Sequence, residues 1–210
     1  MPLDIKYSLG LEKQRVRNTL KKLSWYEKLG YAPRFPKNVN PSIDNLEKIY
    51  ADLQNEYVAE DYKIYAIKIN KEFSKIEADF FKKLQKACGK KIKRNFELIL
   101  TKYGVGGSYA LPNKIIYNMA MRSSSINTIL HEITHLIIEP YIKKCRVQQN
   151  EKERIVDLIL TSEPIALYNY KMQKRGHAHK KFIDPLFKKH FKPPINNFFN
   201  KLTELPDKKP

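Results

Sequence analysis

The chain has 210 residues, 42% of them hydrophobic and 11% aromatic, enough for one sizeable core or a domain with an extension. Its 40 Lys and Arg against 22 Asp and Glu leave a net charge of +18, which favours contact with nucleic acid, anionic membranes or acidic proteins. No apolar run approaches the roughly 20 residues of a membrane span, the opening Met-Pro-Leu-Asp-Ile-Lys carries no secretory signal, and Cys88 and Cys145 form no C-x-x-C pair, so a reduced, cytoplasmic protein is expected.

In chain order, Leu11 to Leu29 reads as a basic amphipathic helix, with Gly30 as its stop. Pro33, Pro36 and Pro41 mark a loop, and Ser42 is placed to cap a helix whose apolar positions are Ile43, Leu46, Ile49, Tyr50, Leu53 and Tyr57. Tyr62 to Ile69 fits either period. Phe73, Ile76, Phe80, Leu84 and Ala87 predict a helix that ends at Gly89.

The period then changes. Phe96, Leu98 and Leu100 alternate with Glu97, Ile99 and Thr101, which predicts a strand. Gly104, Gly106 and Gly107 mark a turn, Ser108 to Leu111 a short second strand, and Lys114 to Met119 a third. One of Ser123, Ser124 and Ser125 is placed to cap the next helix, which Pro140 is expected to end at Glu139. Glu151 to Leu160 predicts another helix, Pro164 starts a further one through Leu167 and Tyr168, and the basic, aromatic tail has helical stretches at Pro185 to Phe191 and Ile195 to Leu202.

The helix after the third strand contains His131-Glu132-x-x-His135. Residues four apart on a helix share a face, so both imidazoles can aim at one ion, with Glu132 beside a water that needs a general base. An apolar helix does not carry two His and a Glu without partners. A catalytic zinc takes a third protein ligand. The downstream donors are Glu139, Glu151, Glu153, Asp157, Glu163, His177 and His179. Glu139 lies one turn further along the same straight helix, which cannot wrap three turns around one ion. The close third His of H-E-x-x-H-x-x-G-x-x-H enzymes would fall at Tyr141, which excludes that class. Glu153 and Asp157 share a helix face, so one can ligate while the other accepts a ring N–H from a ligand His. Glu151 is the alternative ligand but has no carboxylate four residues on.

Together these residues resemble the gluzincins, the thermolysin-like branch of the HExxH zinc metallopeptidases, and are most similar to the small gluzincins, or minigluzincins. The resemblance rests on T-I-L-H-E-I-T-H-L-I from Thr128 to Ile137, on Glu153-x-x-x-Asp157, and on the backing helix, Gly-rich hairpin and strand ahead of them; it covers about Phe96 to Leu160. It implies an α+β, zincin-like fold: a small twisted sheet packed on a backing helix and an active-site helix, then a glutamate helix, with extra helices at both ends. The first 55 or so residues and the last 45 or so lie outside the resemblance; an N-terminal helical extension is expected over 1–56, and a metallopeptidase domain ending in basic, aromatic helices over 57–210.

The resemblance further implies one Zn2+ held by His131, His135 and Glu153, and Glu132 as the base that activates a zinc-bound water against a peptide bond. Asp157 would orient a ligand His. Ile115 to Met119 would border the cleft, where a peptide could pair with it, and Asn118 would hold substrate backbone. A transition-state stabiliser would come from Tyr168, Tyr170, His177, His179 or His190. By analogy with some small gluzincins, tail aromatics such as Phe187, Phe198 and Phe199 would cover the cleft and hold the enzyme latent. The expected partner is a peptide or protein substrate. The alternative expectation is a basic, nucleic-acid-associated protein with little or latent peptidase activity.

Overall fold

The computed structural model describes residues 3–37, 39–121, 125–167, 170–172 and 180–205. The fold is α+β: a four-stranded mixed sheet and, among the described residues, nine α-helices. The chain divides into two compact units that interleave in sequence. The first comprises Met1–Ser74 and Asn95–Glu132, the second Lys75–Arg94 and Ile133–Pro210.

All four strands belong to the first unit. β1 (Asp4–Lys6) pairs parallel with β2 (Glu97–Thr101), with Asp4 opposite Glu97. β3 (Gly107–Ala110) and β4 (Lys114–Asn118) form an antiparallel pair, and β2 runs parallel to β4. The order β1-β2-β4-β3 puts β4 inside the sheet. The expectation that a peptide pairs along Ile115 to Met119 is therefore corrected: the outer strands are β1 and β3. The alternation read in β2 suggested one solvated face, yet Leu98, Leu100, Ile99 and Thr101 are all buried. A strand with parallel neighbours on both sides is covered on both faces.

Helices α1 (Leu9–Leu20) and α2 (Leu23–Lys28) replace the single helix expected over Leu11 to Leu29. Ser8 caps α1 by accepting from the Leu11 N–H, and Gly30 stops α2 at φ 69°. Ser42 caps a 3-10 turn at Ile43–Asn45 that leads into α3 (Leu46–Glu56), as the sequence predicts. Val16 and Leu20 of α1, Ile49 and Leu53 of α3, and Tyr103 form one fully buried cluster. Residues 1–56 thus supply a strand and part of this unit's core. α4 (Ala59–Ser74) settles the ambiguous Tyr62 to Ile69 stretch as helix.

The second unit is helical. α5 (Glu77–Cys88) begins after a break at Lys75–Ile76, so Phe73 and Phe80 lie on different helices. Gly89 ends α5 in the left-handed region at φ 64°, where a Cβ would stand 2.5 Å from Pro194. α6 (Ser125–Lys144) begins in the first unit and runs on into the second; Ser123 and Ser124, expected as alternative caps, lie outside the described residues. Its extent corrects the expected end at Glu139, because Pro140 sits inside the helix. The ring removes one hydrogen bond, at a typical cost of about 3 kcal/mol. Burial of Ile138, Ile142 and Cys145 on either side offsets it.

α7 spans Gln149–Thr161. No described helix starts at Pro164; Ser162 to Ala166 form a turn, and Tyr168 lies outside the described residues. α8 (Lys180–His190) and α9 (Asn196–Thr203) follow. Phe187, Phe198 and Phe199 are buried core of this unit, and Phe199 stacks on Tyr141 with ring centroids 5.1 Å apart. Cys88 and Cys145 are free, buried thiols, and burial pushes the Cys88 pKa up to about 11.

Candidate metal centre

The sequence places His131, Glu132 and His135 on α6 and Glu153 and Asp157 on α7. All five are buried in the structure. His131, His135 and Glu153 each offer one ligand atom, and these atoms lie within 4.8 Å of one another. His135 Nε2 and Glu153 Oε2 are 3.3 Å apart. Two donors about 2.0–2.1 Å from a tetrahedral zinc stand roughly 3.3 Å from each other, so this pair already has the spacing of two ligands. Two imidazoles and a carboxylate, none more than 6% exposed, are a donor set that fits a metal ion. Among the described residues this is the group able to hold one.

Glu151 Oε2 accepts from the Gln148 N–H at 2.8 Å, closing a capping box at the start of α7. Glu163 is exposed in the turn after that helix. His177 and His179, like Tyr168, lie outside the described residues. Tyr170 is described, and its hydroxyl donates to Asp157 Oδ1 at 2.6 Å.

Sequence reading missed Gln149. Its Nε2 donates to Glu153 Oε1 at 2.6 Å, so Glu153 is gripped from the preceding turn of its own helix. The signal was present, since Gln and Glu four apart on a helix are neighbours.

Glu132 has a distinct setting within the first unit. Gly107 opens the edge strand β3, and a Cβ there would stand 2.5 Å from Glu132 Oε1 and 2.6 Å from Thr128 Cγ2. Only glycine lets the strand come this close. The turn before it is held by Arg15 of α1, a guanidinium that sequence reading also missed. Arg15 donates to Ser108 Oγ at 3.0 Å, to the Val105 carbonyl at 3.4 Å and to the Tyr103 carbonyl at 3.5 Å. A Cβ at Gly104, where φ is 77°, would collide with that guanidinium. Burial lowers the Arg15 pKa, opposed by the charges of Glu132 and Glu12.

Asn118, expected to hold substrate, is fully buried. Its Nδ2 donates to the Gly104 carbonyl and its Oδ1 accepts from the Ala120 N–H, each at 3.0 Å. It braces the same turn.

No described helix is long and apolar enough to cross a membrane. Comparison with family models, with curated proteins and with solved structures returned no match.

Proposed function

We propose that this chain is a zinc-dependent peptidase of the gluzincin type, with His131, His135 and Glu153 as ligands and Glu132 as general base. The carrying observation is the buried His131–His135–Glu153 group with a glutamate next to the first His on the same helix. A purely structural zinc site is usually closed by four ligands rich in Cys, whereas three ligands and an adjacent carboxylate suit catalysis. When bound, zinc supplies Lewis acidity, acidifying a water and polarising a carbonyl. Glu132 would take a proton from the attacking water and pass it to the leaving amine. Edge strand β3 offers its free side to an extended peptide, and Gly107 brings that strand against Glu132.

The purified chain should hold about one zinc and cleave an unfolded protein substrate. Glu132→Gln should keep the metal while cleavage falls by about 10²–10⁴-fold, the usual range for loss of a general base. Undiminished cleavage by that variant sinks the mechanism.

A second reading rests on the charge distribution. The second unit holds 24 Lys and Arg against 10 Asp and Glu, a net +14 of the chain's +18. We infer an anionic-polymer contact there, with nucleic acid as the candidate. Duplex DNA binding followed by fluorescence anisotropy should weaken steeply between 50 and 200 mM salt, the range over which about 6–10 phosphate contacts lose roughly 10³-fold or more. No binding at the lower salt removes this reading.

A further inference from the structure

The two carboxylates of α7 are held in matching ways. Glu153 has Oε1 occupied by Gln149 Nε2 at 2.6 Å, and its Oε2 lies 3.3 Å from His135 Nε2. Asp157 has Oδ1 occupied by the Tyr170 hydroxyl, also at 2.6 Å. Glu153 is 6% exposed and Asp157 is fully buried. Both donors are neutral. A lysine or arginine in either place would compensate the carboxylate's charge and compete with a cation for it. An amide or phenol orients the group and leaves the charge in place.

The two donors come from different parts of the chain. Gln149 lies one turn before Glu153 on α7. Tyr170 arrives from the segment beyond the helix. Two residues on, Met172 Sδ accepts from Arg154 Nη1 at 3.0 Å, so residues 170–172 are laid along α7 at two points.

A carboxylate can ligate through one oxygen or two. We propose that Gln149 and Tyr170 are positioning residues of the metal centre: Gln149 restricts Glu153 to ligation through Oε2 alone, and Tyr170 fixes the carboxylate of Asp157 one turn further on. This rests on the reading of His131, His135 and Glu153 as ligands and of Asp157 as the carboxylate that orients a ligand His. It adds that the coordination number is set by a residue that never touches the ion.

The test uses the full chain loaded with cobalt(II), whose visible absorption is intense in four-coordinate sites and weakens as ligands are added. Gln149→Met removes the amide donor from Glu153 Oε1 and lets that oxygen turn to the ion, so the cobalt bands should lose intensity several-fold against the parent. Gln149→Asn, whose amide falls short by one methylene, should behave alike and serves if the methionine variant does not fold. Tyr170→Phe should weaken zinc binding about tenfold in chelator competition, the lower end of the effect of removing an outer partner. A merely structural role would lower the melting temperature of these variants and leave spectrum and affinity alone. An unchanged cobalt spectrum at position 149, or unchanged zinc affinity in Tyr170→Phe, overturns the proposal. A parent chain that takes up neither metal fails the ligand reading itself, a result distinct because it appears before any substitution.

Discussion

The two compact units each bury an arginine, and they use it in opposite ways. In the first unit Arg15 is 8% exposed and its three hydrogen-bond acceptors are two carbonyls and a hydroxyl. Burial lowers its pKa. In the second unit Arg154 grips Asp184 of α8 with a two-pronged contact, Nε to Oδ1 at 2.7 Å and Nη2 to Oδ2 at 2.5 Å. That bonding raises its pKa. The comparison teaches that one cation shapes a loop and the other docks a helix. Arg15 threads the turn that places Gly107 beside Glu132, at the expense of desolvating a charge. Arg154 neighbours Glu153 in sequence and holds α8 on the helix that carries it.

The sharpest break in this comparison comes from the second unit's own chemistry. Glu153→Ala should abolish stoichiometric metal, with affinity reduced by at least about 10²-fold; metal analysis after dialysis checks it, and full retention would remove Glu153 as a ligand.

Next is Arg15→Leu, expected to destabilise the chain by about 3–5 kcal/mol, since it removes the donor from the Tyr103 and Val105 carbonyls and the cation whose charge acts on the buried Glu12 and Glu132. Gly104→Ala should cost about 1–3 kcal/mol, because a side chain at positive φ is strained even before it meets Arg15. Urea unfolding reads both, and equal stability to the parent would mean that the turn does not depend on its arginine.

Arg154→Leu should cost less than Arg15→Leu, about 2–3 kcal/mol, because Asp184 is one-third exposed and keeps access to water once its partner is gone. If the Arg154 change proved the larger, the contrast between the two arginines would reverse.

The smallest effect should come from Glu12, which is fully buried. Its Oε1 accepts from the Tyr62 hydroxyl and, at 2.6 Å, from the Lys102 N–H, while Oε2 has no partner among the described residues. Burial raises its pKa above 4.5. A raised carboxylate favours the protonated folded state, so the parent's stability is fullest below pH 4.5 and declines as pH rises through the folded value. Glu12→Gln lacks this loss. Its stability relative to the parent should grow from pH 4 to pH 8, by about 1.4 kcal/mol for each tenfold weakening of the Glu12 acid on folding. A difference that is flat with pH would show that folding does not weaken the Glu12 acid.

Much of the candidate metal centre was legible because its parts are local. H-E-x-x-H and E-x-x-x-D each sit on one helix, where spacing dictates facing, and the structure brings His131, His135 and Glu153 together. β2 and β4 were legible from period 2 and β-branched residues. β1 was not: Asp-Ile-Lys is too short to show a period, and only Glu97, more than 90 residues on, makes it a strand. The internal place of β4 was equally hidden, since strand order depends on which neighbour pairs rather than on the strand's own residues. Pro140 misled because its local preference lost to the packing around it. Arg15 left no sequence signal, and Tyr170, expected only among the stabilisers, gave no sign of its bond to Asp157, as their partners are distant in the chain.

The interleaving of the units bears on how the chain is made. Neither unit is a continuous segment. As synthesis proceeds from the N-terminus, the sheet cannot close before β4 has emerged, and α5 must wait for the far end, because the Ala87 carbonyl receives the Ile195 N–H at 2.8 Å. Nascent α5, with its apolar Phe80, Phe81 and Leu84, is therefore exposed to ribosome-associated factors for more than 100 residues of elongation. A protease cut between Lys90 and Arg94 would split both units at once.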